Sequence, residues 1–166
     1  MSDFLIADGA IRQLHAVYVD AVWRQDIGAF ADCFAEDAEW KIAGAHVRGR
    51  AEIQDQLRIF LAASERVLMF PGTPILEVGS ETATGRIYVS EYIKRRDGSA
   101  LRTIGVYYDH YVEHSDRWRF QSRHWHLYYR GPPDLSGPFH DCQEYGPPPG
   151  MPGPDAATDA AAGHRN

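Results

Sequence analysis

Cysteine is scarce in this 166-residue sequence, and basic residues are neither in excess nor clustered. Cys33 and Cys142 lie far apart without a C-x-x-C partner, which argues against a zinc ribbon or a disulfide framework and fits a reducing cytoplasm. The 17 lysines and arginines are outnumbered by 23 acidic residues, which argues against binding to nucleic acid or anionic membranes. No long apolar run and no basic leader occur, so we expect a cytoplasmic protein without a targeting or membrane-spanning segment.

Aromatic side chains are the abundant feature. Phe, Trp and Tyr make up 12% of the chain, eight histidines accompany them, and the run "RHWHLYYR" at residues 123–130 concentrates both types. This composition is typical of a ligand pocket, although a well-filled core with an aromatic edge has the same composition. The length and the 44% of hydrophobic residues predict one domain with one core.

Apolar periodicity predicts three helices in the first part of the chain. Residues 8–24 and 50–63 both carry apolar side chains three and four positions apart. Asp26 is a suitable N-cap for a short helix between them, and a strand follows near Trp40. The intervening "GAHVRGR", residues 44–50, has the composition of a turn-rich connection.

The second part of the chain is predicted to be β. Turn signals separate four alternating segments, at residues 67–78, 82–95, 100–113 and 117–130. This order of elements predicts an α+β domain, a cone in which a curved antiparallel sheet wraps around the helices and encloses a cavity.

A change in composition predicts where this domain ends. We place the domain at residues 1–130 and a Pro/Gly-rich tail at 131–166, partly disordered, whose first half Phe139 and Tyr145 could hold against the domain or a neighbouring subunit.

One strand carries a carboxylate on an apolar face. In "RIYVSEYIKR", residues 86–95, Glu91 shares its face with three apolar residues, Ile87, Val89 and Ile93. An unpaired buried carboxylate is costly and shifts its pKa, so Glu91 needs either a partner or a function.

The turn that follows decides what Glu91 faces. A two-residue "DG" loop sets Glu91 opposite Ile104 and diagonal to Arg102, which favours an ordinary ion pair. A three-residue "DGS" loop with Gly98 in the left-handed region sets Glu91 opposite Gly105, and we favour this alternative. The same register places Val89 opposite Tyr107 and Ile87 opposite Asp109.

Three motifs resemble one known family. They are "AIRQLHAVYVDAVWRQDIGAFADCFAEDAEW" at 10–40, "GVYYDHY" at 105–111 and "RWRFQSR" at 117–123. The sequence is similar to the SnoaL-like branch of the nuclear transport factor two-like superfamily, which includes dehydratases, a dehydrochlorinase and isomerases. The resemblance implies a nuclear transport factor two-like cone, chemistry without a cofactor in an apolar cavity, and a homo-oligomer, dimer or trimer.

The resemblance transfers only part of the dehydrochlorinase-like site. The pocket tryptophan and arginine of that pattern fall on Trp40 and Arg123. Its catalytic aspartate and histidine fall on Trp23 and Phe70, and its pocket lysine falls on Tyr18, so the usual His/Asp dyad is not matched. The fold is implied, whereas dehydrochlorination is not.

Other residues therefore have to replace the dyad. Aligned on the family, Glu91 lies on the cavity face, where a raised pKa would suit a general base. Asp20, one turn before Trp23, is a second candidate, and Asp109 is a third unless it only holds Arg123 in place. We expect Arg123 to stabilise negative charge together with Tyr107. The predicted substrate-binding residues are Tyr18, Trp23, Trp40, Phe70, Val89 and Trp125.

Three histidines near the end of the sheet raise the question of a metal. His124 and His126 share one strand face, with His110 on the preceding strand. Arg123 has the opposite parity, so these histidines are expected on the outer face unless a β-bulge near Ser122 reverses them. We therefore predict no metal and no cofactor.

Together these features predict a cofactor-independent lyase. It would dehydrate or otherwise eliminate from a hydrophobic aromatic or polycyclic small molecule. Some members of the superfamily it resembles lose formaldehyde from diaryl compounds, and by analogy the predicted aromatic substrate-binding residues also suit such a reaction through a quinone methide. The alternatives are a non-catalytic small-molecule-binding module, an isomerase, or an epoxide hydrolase using Glu91, Arg123 and Asp109.

Overall fold

The computed structural model describes residues 2–139, which form three helices and seven strands. The helices are α1 (Ser2–Arg24), α2 (Ile27–Asp32) and α3 (Arg50–Ala62). The strands are β1 (Phe34–Ile42), β2 (Ala45–Arg48), β3 (Ser64–Pro71), β4 (Ile75–Val78), β5 (Thr82–Arg95), β6 (Ala100–His114) and β7 (Arg117–Gly131). Within this part of the chain no helix has the length and apolarity to cross a membrane.

The helices form where the apolar periodicity predicts them, and they turn their apolar faces to the sheet. The buried side of α1 carries Ile11, Leu14, Tyr18 and Val22, and that of α3 carries Ile53, Leu57 and Leu61. The α1 helix begins at Ser2, earlier than the predicted residue 8. Asp26 caps α2 as predicted, since its carboxylate accepts from Ala29 N at 2.9 Å.

The strands form one curved sheet in the order β2-β1-β7-β6-β5-β3, with β4 also paired to β5. The fold prediction is confirmed except in one respect: β1 and β7 pair in parallel, so the sheet is not wholly antiparallel. The parallel pair arises because α3 carries the chain from β2 at one edge of the sheet to β3 at the other.

Two predicted segments differ from the observed elements. The stretch "GAHVRGR" contains the short strand β2, which pairs with β1. The predicted strand 67–78 is two strands, because residues 72–74, Gly-Thr-Pro, interrupt it and proline cannot donate to a ladder. Both pieces, β3 and β4, pair with different parts of β5.

Residues 96–99 separate β5 from β6, and the tight loop inside the closing pair of Arg95 and Ser99 has three residues, but not the three that were predicted. It comprises residues 96–98, closed by the hydrogen bond from Arg95 N to Ser99 O at 2.9 Å, with Gly98 at φ +89°. Glu91 therefore lies opposite Thr103, so both registers considered above are wrong. The favoured register of β5 against β6 is in error by two residues. Because side chains alternate along a strand, a shift by an even number leaves each of them on the predicted face of the sheet. Glu91 and Tyr107 accordingly share the concave face.

Two bulges in β7 decide which of its side chains reach the concave face. The pairing with β6 shifts at Gln121 and again at Tyr128. Between the bulges Arg123, Trp125 and Leu127 lie on the concave side, and after the second bulge the even-numbered Arg130 replaces them there.

Beyond β7 the described chain returns to the sheet. Phe139 pairs with Tyr129 and packs on its ring at 4.8 Å between centroids. The Tyr129 hydroxyl donates to Pro132 O at 2.7 Å. Tyr145 and the rest of the proposed tail lie outside the described residues, so the boundary at residue 130 and the disordered tail stay predictions.

Glu39 ties three strands together on the convex face. Its carboxylate lies 2.6 Å from His124 Nε2 on β7, and 2.8 Å from His46 Nε2 and 2.7 Å from Arg48 Nη2 on β2. Burial raises the pKa of Glu39, but the hydrogen bonds from His46 and His124 outweigh it and lower the pKa to about 2.

This cluster predicts a specific loss of stability in acid. The pKa of Glu39 in the folded protein lies below its ordinary value of 4.5. The Glu39 carboxylate therefore contributes fully to the free energy of unfolding above pH 4.5, and this contribution is lost as the pH falls towards about 2. We expect Glu39→Gln to lower the free energy of unfolding at pH 7 by on the order of 2 kcal/mol. In urea titrations that deficit should shrink between pH 4.5 and pH 2.5.

Glu36 supplies the control for this measurement. It lies exposed on the same strand and forms no ion pair with the residues that the structure describes. Glu36→Gln should leave stability nearly unchanged at every pH. A Glu39→Gln deficit that stays constant with pH would show that the cluster acts through packing and not through charge.

Candidate functional site

A cavity of about 740 Å³ lies between the helices and the concave face of the sheet. Most of its lining is apolar, and several lining side chains are rings. At the inner end the lining residues are fully buried, among them Tyr18, Phe30, Trp40 and Tyr107. At the outer end they are exposed, among them Ala43, Gly44, Ile59, Ala63 and Arg130. The cavity is therefore closed at one end and open at the other.

Glu91 is the carboxylate that lines this cavity. The Thr103 hydroxyl, across the β5–β6 ladder, donates to Glu91 Oε2 at 2.9 Å. Burial raises the pKa of Glu91, and this hydrogen bond together with the charges of Arg123 and Arg130 only partly opposes it. Glu91 forms no ion pair with the described residues, so it can accept or deliver a proton inside an apolar space.

Two phenols and an indole form the inner end of the cavity. The hydroxyls of Tyr18 and Tyr107 interact, and burial raises the pKa of both phenols, so both stay protonated at neutral pH. The indole Nε1 of Trp40 is buried beside the Tyr107 hydroxyl, towards which it acts as a donor. The inner end therefore offers donors to an oxygen atom of a ligand.

Arg123 lies behind these rings and not in the lining. Its guanidinium carbon lies 3.9 Å from the ring centroid of Tyr107, 4.1 Å from Phe120 and 4.4 Å from Tyr18. Burial lowers the pKa of Arg123, but the Asp109 charge outweighs it and the pKa is raised above its usual range. A permanent cation thus faces the phenols from outside the cavity and favours negative charge on them.

A buried chain of hydrogen bonds holds Arg123 in place. Asp109 accepts from Arg123 Nε at 2.8 Å and from Nη2 at 3.1 Å, a bidentate pair. The Tyr111 hydroxyl donates to Asp109 at 3.2 Å and lies 2.9 Å from His15 Nε2. Because the hydroxyl proton is directed to Asp109, His15 must donate through Nε2–H. Burial and the charge of Arg123 lower the pKa of His15, so this histidine is neutral.

Gly105 allows a tryptophan to form one wall of the cavity. Trp125 lies against β6 with its ring 4.7 Å from that of Tyr107. A Cβ at position 105 would lie 2.6 Å from Trp125 Cζ2 and 2.2 Å from the backbone oxygen of His126, far inside contact distance. Only glycine lets the strand backbone approach the indole and the neighbouring strand this closely.

Gly105→Ala should therefore damage the cavity. We expect a loss of roughly 1–3 kcal/mol in stability from the forced displacement of Trp125 and the β7 backbone. Chemical denaturation monitored by tryptophan fluorescence measures this loss. Gly9→Ala on α1, where an added Cβ meets nothing within 4 Å, is the control and should be neutral or stabilising. Equal stability of the two variants would contradict the close contact at Gly105.

The structure brings five of the predicted site residues together in the cavity lining: Tyr18, Trp40, Glu91, Tyr107 and Trp125. Three more, Val89, Asp109 and Arg123, are buried on the same face of the sheet but do not line the cavity. Sequence reasoning placed the six residues of β5, β6 and β7 among them on the correct face because side-chain alternation survives an even error in register.

The other three predicted residues lie outside the cavity. Trp23 is 44% exposed and Phe70 is 50% exposed, and their rings pack edge to face at 5.6 Å. Trp23 Nε1 donates to Met69 O at 2.8 Å. The two residues onto which the His/Asp dyad of the family falls therefore connect α1 to β3 and do not line the cavity. Asp20 is ion-paired with Arg24 at the protein surface. Val22 and Met69, one position before each aromatic, line the cavity instead.

Several lining residues were missed in the sequence. Thr103 was missed because the position of the three-residue loop, and hence the register, was wrong. Arg130 was missed because alternation from Arg123 would turn it outwards, and only the bulge at Tyr128 turns it inwards. Arg95 continues the alternation of Glu91 and Ile93, so the sequence pattern itself could have indicated it.

The three histidines lie on the convex side. His110, His124 and His126 occupy the face opposite to Arg123, as parity predicts, and the bulge at Gln121 does not bring them inwards. Among residues 2–139 no group of three or more His, Cys, Asp or Glu side chains is arranged to hold a metal ion.

A family model decides the relationship of this chain to known proteins. The model of the SnoaL-like domain matches residues 4–124, most of the chain, including the buried aromatic end of the cavity. The chain belongs to the SnoaL-like domain family. No curated protein is significantly similar to it. The family assignment confirms the predicted nuclear transport factor two-like fold.

Solved structures similar to this SnoaL-like protein include enzymes. A hexachlorocyclohexane dehydrochlorinase (LinA) type 2 has a TM-score of 0.74 at 22% identity, covering 89% of this chain and 97% of that one. The LinA type 3 dehydrochlorinase of Novosphingobium barchaimii LL02 has a TM-score of 0.73 at 21% identity, covering 81% and 94%. A scytalone dehydratase-like protein of Novosphingobium aromaticivorans has a TM-score of 0.73 at 19% identity, covering 78% and 90%. At these identities the likeness shows the fold.

Proposed function

We propose that this protein is a cofactor-independent lyase that eliminates water or a related group from a hydrophobic aromatic or polycyclic small molecule. The observation that carries the proposal is Glu91: an unpaired carboxylate of raised pKa in an apolar cavity, facing protonated phenols. The similar structures that are dehydrochlorinases and scytalone dehydratase-like proteins agree with an elimination, although the His/Asp dyad that the family resemblance implies is not matched here.

Each residue then has a role in the elimination. The Glu91 carboxylate removes a proton from the carbon next to the leaving hydroxyl, and the electrons of that C–H bond form the double bond. The C–O bond breaks as Tyr107 or Tyr18 hydrogen-bonds to the departing oxygen and delivers a proton to it, so that water leaves. Arg123 stabilises the phenolate that remains until a proton returns from Glu91.

The same groups support loss of formaldehyde from a diaryl substrate with a hydroxymethyl branch. A phenol on the substrate expels the benzylic hydroxyl as water and becomes a quinone methide. Glu91 then takes the proton of the hydroxymethyl O–H, and the C–C bond breaks as formaldehyde leaves. The electron pair of that bond forms a new C=C bond and turns the quinone methide into an aromatic phenolate, which takes the proton from Glu91. This variant needs the phenol of the substrate at the inner end, where Trp40, Tyr18 and Tyr107 offer donors.

A substrate screen tests the proposed function. Purified protein, treated with a chelator and given no cofactor, is incubated with hydroxylated diaryl and polycyclic compounds in water enriched in oxygen-18. Mass spectrometry should find products that have lost water, or water and formaldehyde, without gaining the heavy isotope. A diol that carries oxygen-18 would instead establish an epoxide hydrolase. Tight binding without turnover of any compound would favour a non-catalytic binding module.

A further inference from the structure

The open end of the cavity carries two arginines. Arg130 is directed there by the bulge at Tyr128, which changes the pairing from Gly105 with Leu127 to Thr103 with Arg130. Arg95 is directed there by simple alternation from Glu91 along β5. Both side chains line the cavity, and neither forms a salt bridge with the residues that the structure describes.

Their position contrasts with the rest of the molecule. The chain has a net charge of −6, so an anion is not attracted to the protein in general. The cavity also contains the carboxylate of Glu91, in the same row of the sheet as Arg130, and buried aromatic rings further in, and these disfavour a second negative charge. An anionic group is therefore favoured at the mouth and disfavoured inside, whereas an aromatic body is favoured inside.

We propose that the cavity selects an amphipathic anion, an aromatic or polycyclic acid whose carboxylate binds Arg95 and Arg130 at the mouth while its apolar body lies against Trp125 and the inner rings. Guanidinium groups suit a carboxylate because their planar N–H donors match its two oxygens. The carboxylate fixes which end of the molecule enters first. This inference rests on the proposed function only in that this orientation brings the reacting end to Glu91.

The test uses ligands that cannot react. Stilbene-4-carboxylate and stilbene-4-carboxamide have the same shape but differ in charge, and neither carries a leaving group. Binding is measured by titration calorimetry and by quenching of tryptophan fluorescence at low ionic strength. We expect the wild-type protein to bind the carboxylate about tenfold more tightly than the amide, since hydrogen bonds to charged groups are the stronger ones.

Three variants locate the preference. Arg130→Gln should reduce the tenfold preference to about threefold, and the double variant Arg95→Gln/Arg130→Gln should remove it, with amide affinity unchanged. Arg102→Gln is the matched control. Arg102 pairs with Gly131 next to Arg130, but its side chain lies on the convex face, bonded to Ser90 Oγ at 3.0 Å. This control removes the same charge and should keep the preference.

Two results would overturn the inference: equal affinity of wild-type protein for the two ligands, or a preference that survives in the double variant. A preference lost equally in Arg102→Gln would also overturn it, because general electrostatics would then explain the effect. Neither ligand is turned over, so these outcomes do not depend on whether the protein is a lyase. The lyase proposal fails separately, if loss of the Glu91 carboxylate leaves turnover intact.

Discussion

Glu91→Gln is expected to lower kcat by about 10²- to 10⁴-fold while leaving the affinity for a bound substrate analogue almost unchanged. The substitution removes the proton acceptor but keeps the shape of the side chain and its contact with Thr103. In the wild-type protein kcat/KM should rise with pH through the raised pKa of Glu91, because only the carboxylate is the base. The residual activity of the variant should lack that rise.

The same variant should be more stable at neutral pH. The folded pKa of Glu91 lies above its unfolded value, so the folded state holds this proton more tightly and stability falls as the pH rises through the folded pKa. Removing the carboxylate removes this cost. Thermal unfolding should therefore show a higher Tm for Glu91→Gln than for wild type at pH 8, and a smaller difference at pH 4. Such an exchange of stability for activity is typical of functional groups.

Two matched variants sharpen the assignment of the base. Thr103→Val removes the hydrogen bond that lowers the pKa of Glu91, so the pH profile should move to higher pH with the base still present. Glu77→Gln, an exposed carboxylate on β4, should change neither the profile nor the Tm at pH 8. If Glu91→Gln retained wild-type turnover, another group would have to be the base and the proposed mechanism would fail.

The faces of the strands could be predicted from the sequence, but the details of the ladder could not. Alternation placed Glu91, Tyr107 and Arg123 on the concave face, because burial of one side of a strand fixes its parity. The loop of residues 96–98 differs from the predicted loop by one position, since several three-residue loops fit "RRDGSA" equally well. That error cost only Thr103, the partner of Glu91.

The bulges in β7 and the rotation of helix α1 about its axis could not be predicted from the sequence. The extra residue Tyr128 has no signature in an aromatic run, and yet it decides that Arg130 lines the cavity. On α1, Trp23 and Val22 are adjacent, and a small rotation of the helix decides which of them faces inwards. The resemblance to the family placed Trp23 in the site because its alignment carries no information on that rotation.

The charges of the site are divided between two layers, and this division has an energetic consequence. Glu91 is the carboxylate of the cavity lining, whereas Asp109 and Arg123 neutralise one another behind the aromatic rings. The phenols between the two layers keep the cation away from Glu91 without removing its influence. Arg123 can stabilise the phenolate only while Asp109 and the aromatic rings keep it in position. Its contribution to the stability of the fold and its contribution to kcat are therefore linked.

Arg123→Met is accordingly expected to be the most destabilising single substitution, by about 3–5 kcal/mol, because it leaves the Asp109 carboxylate buried without its partner. Urea denaturation should show this loss as a lower midpoint. The double variant Asp109→Leu/Arg123→Met removes both charges and should recover much of it, since apolar pairs of similar volume replace buried ion pairs at little cost. Additive losses in this cycle would contradict the pairing. Arg123→Lys keeps the charge but not the bidentate geometry or the stacking, and should fall between wild type and Arg123→Met in both stability and kcat.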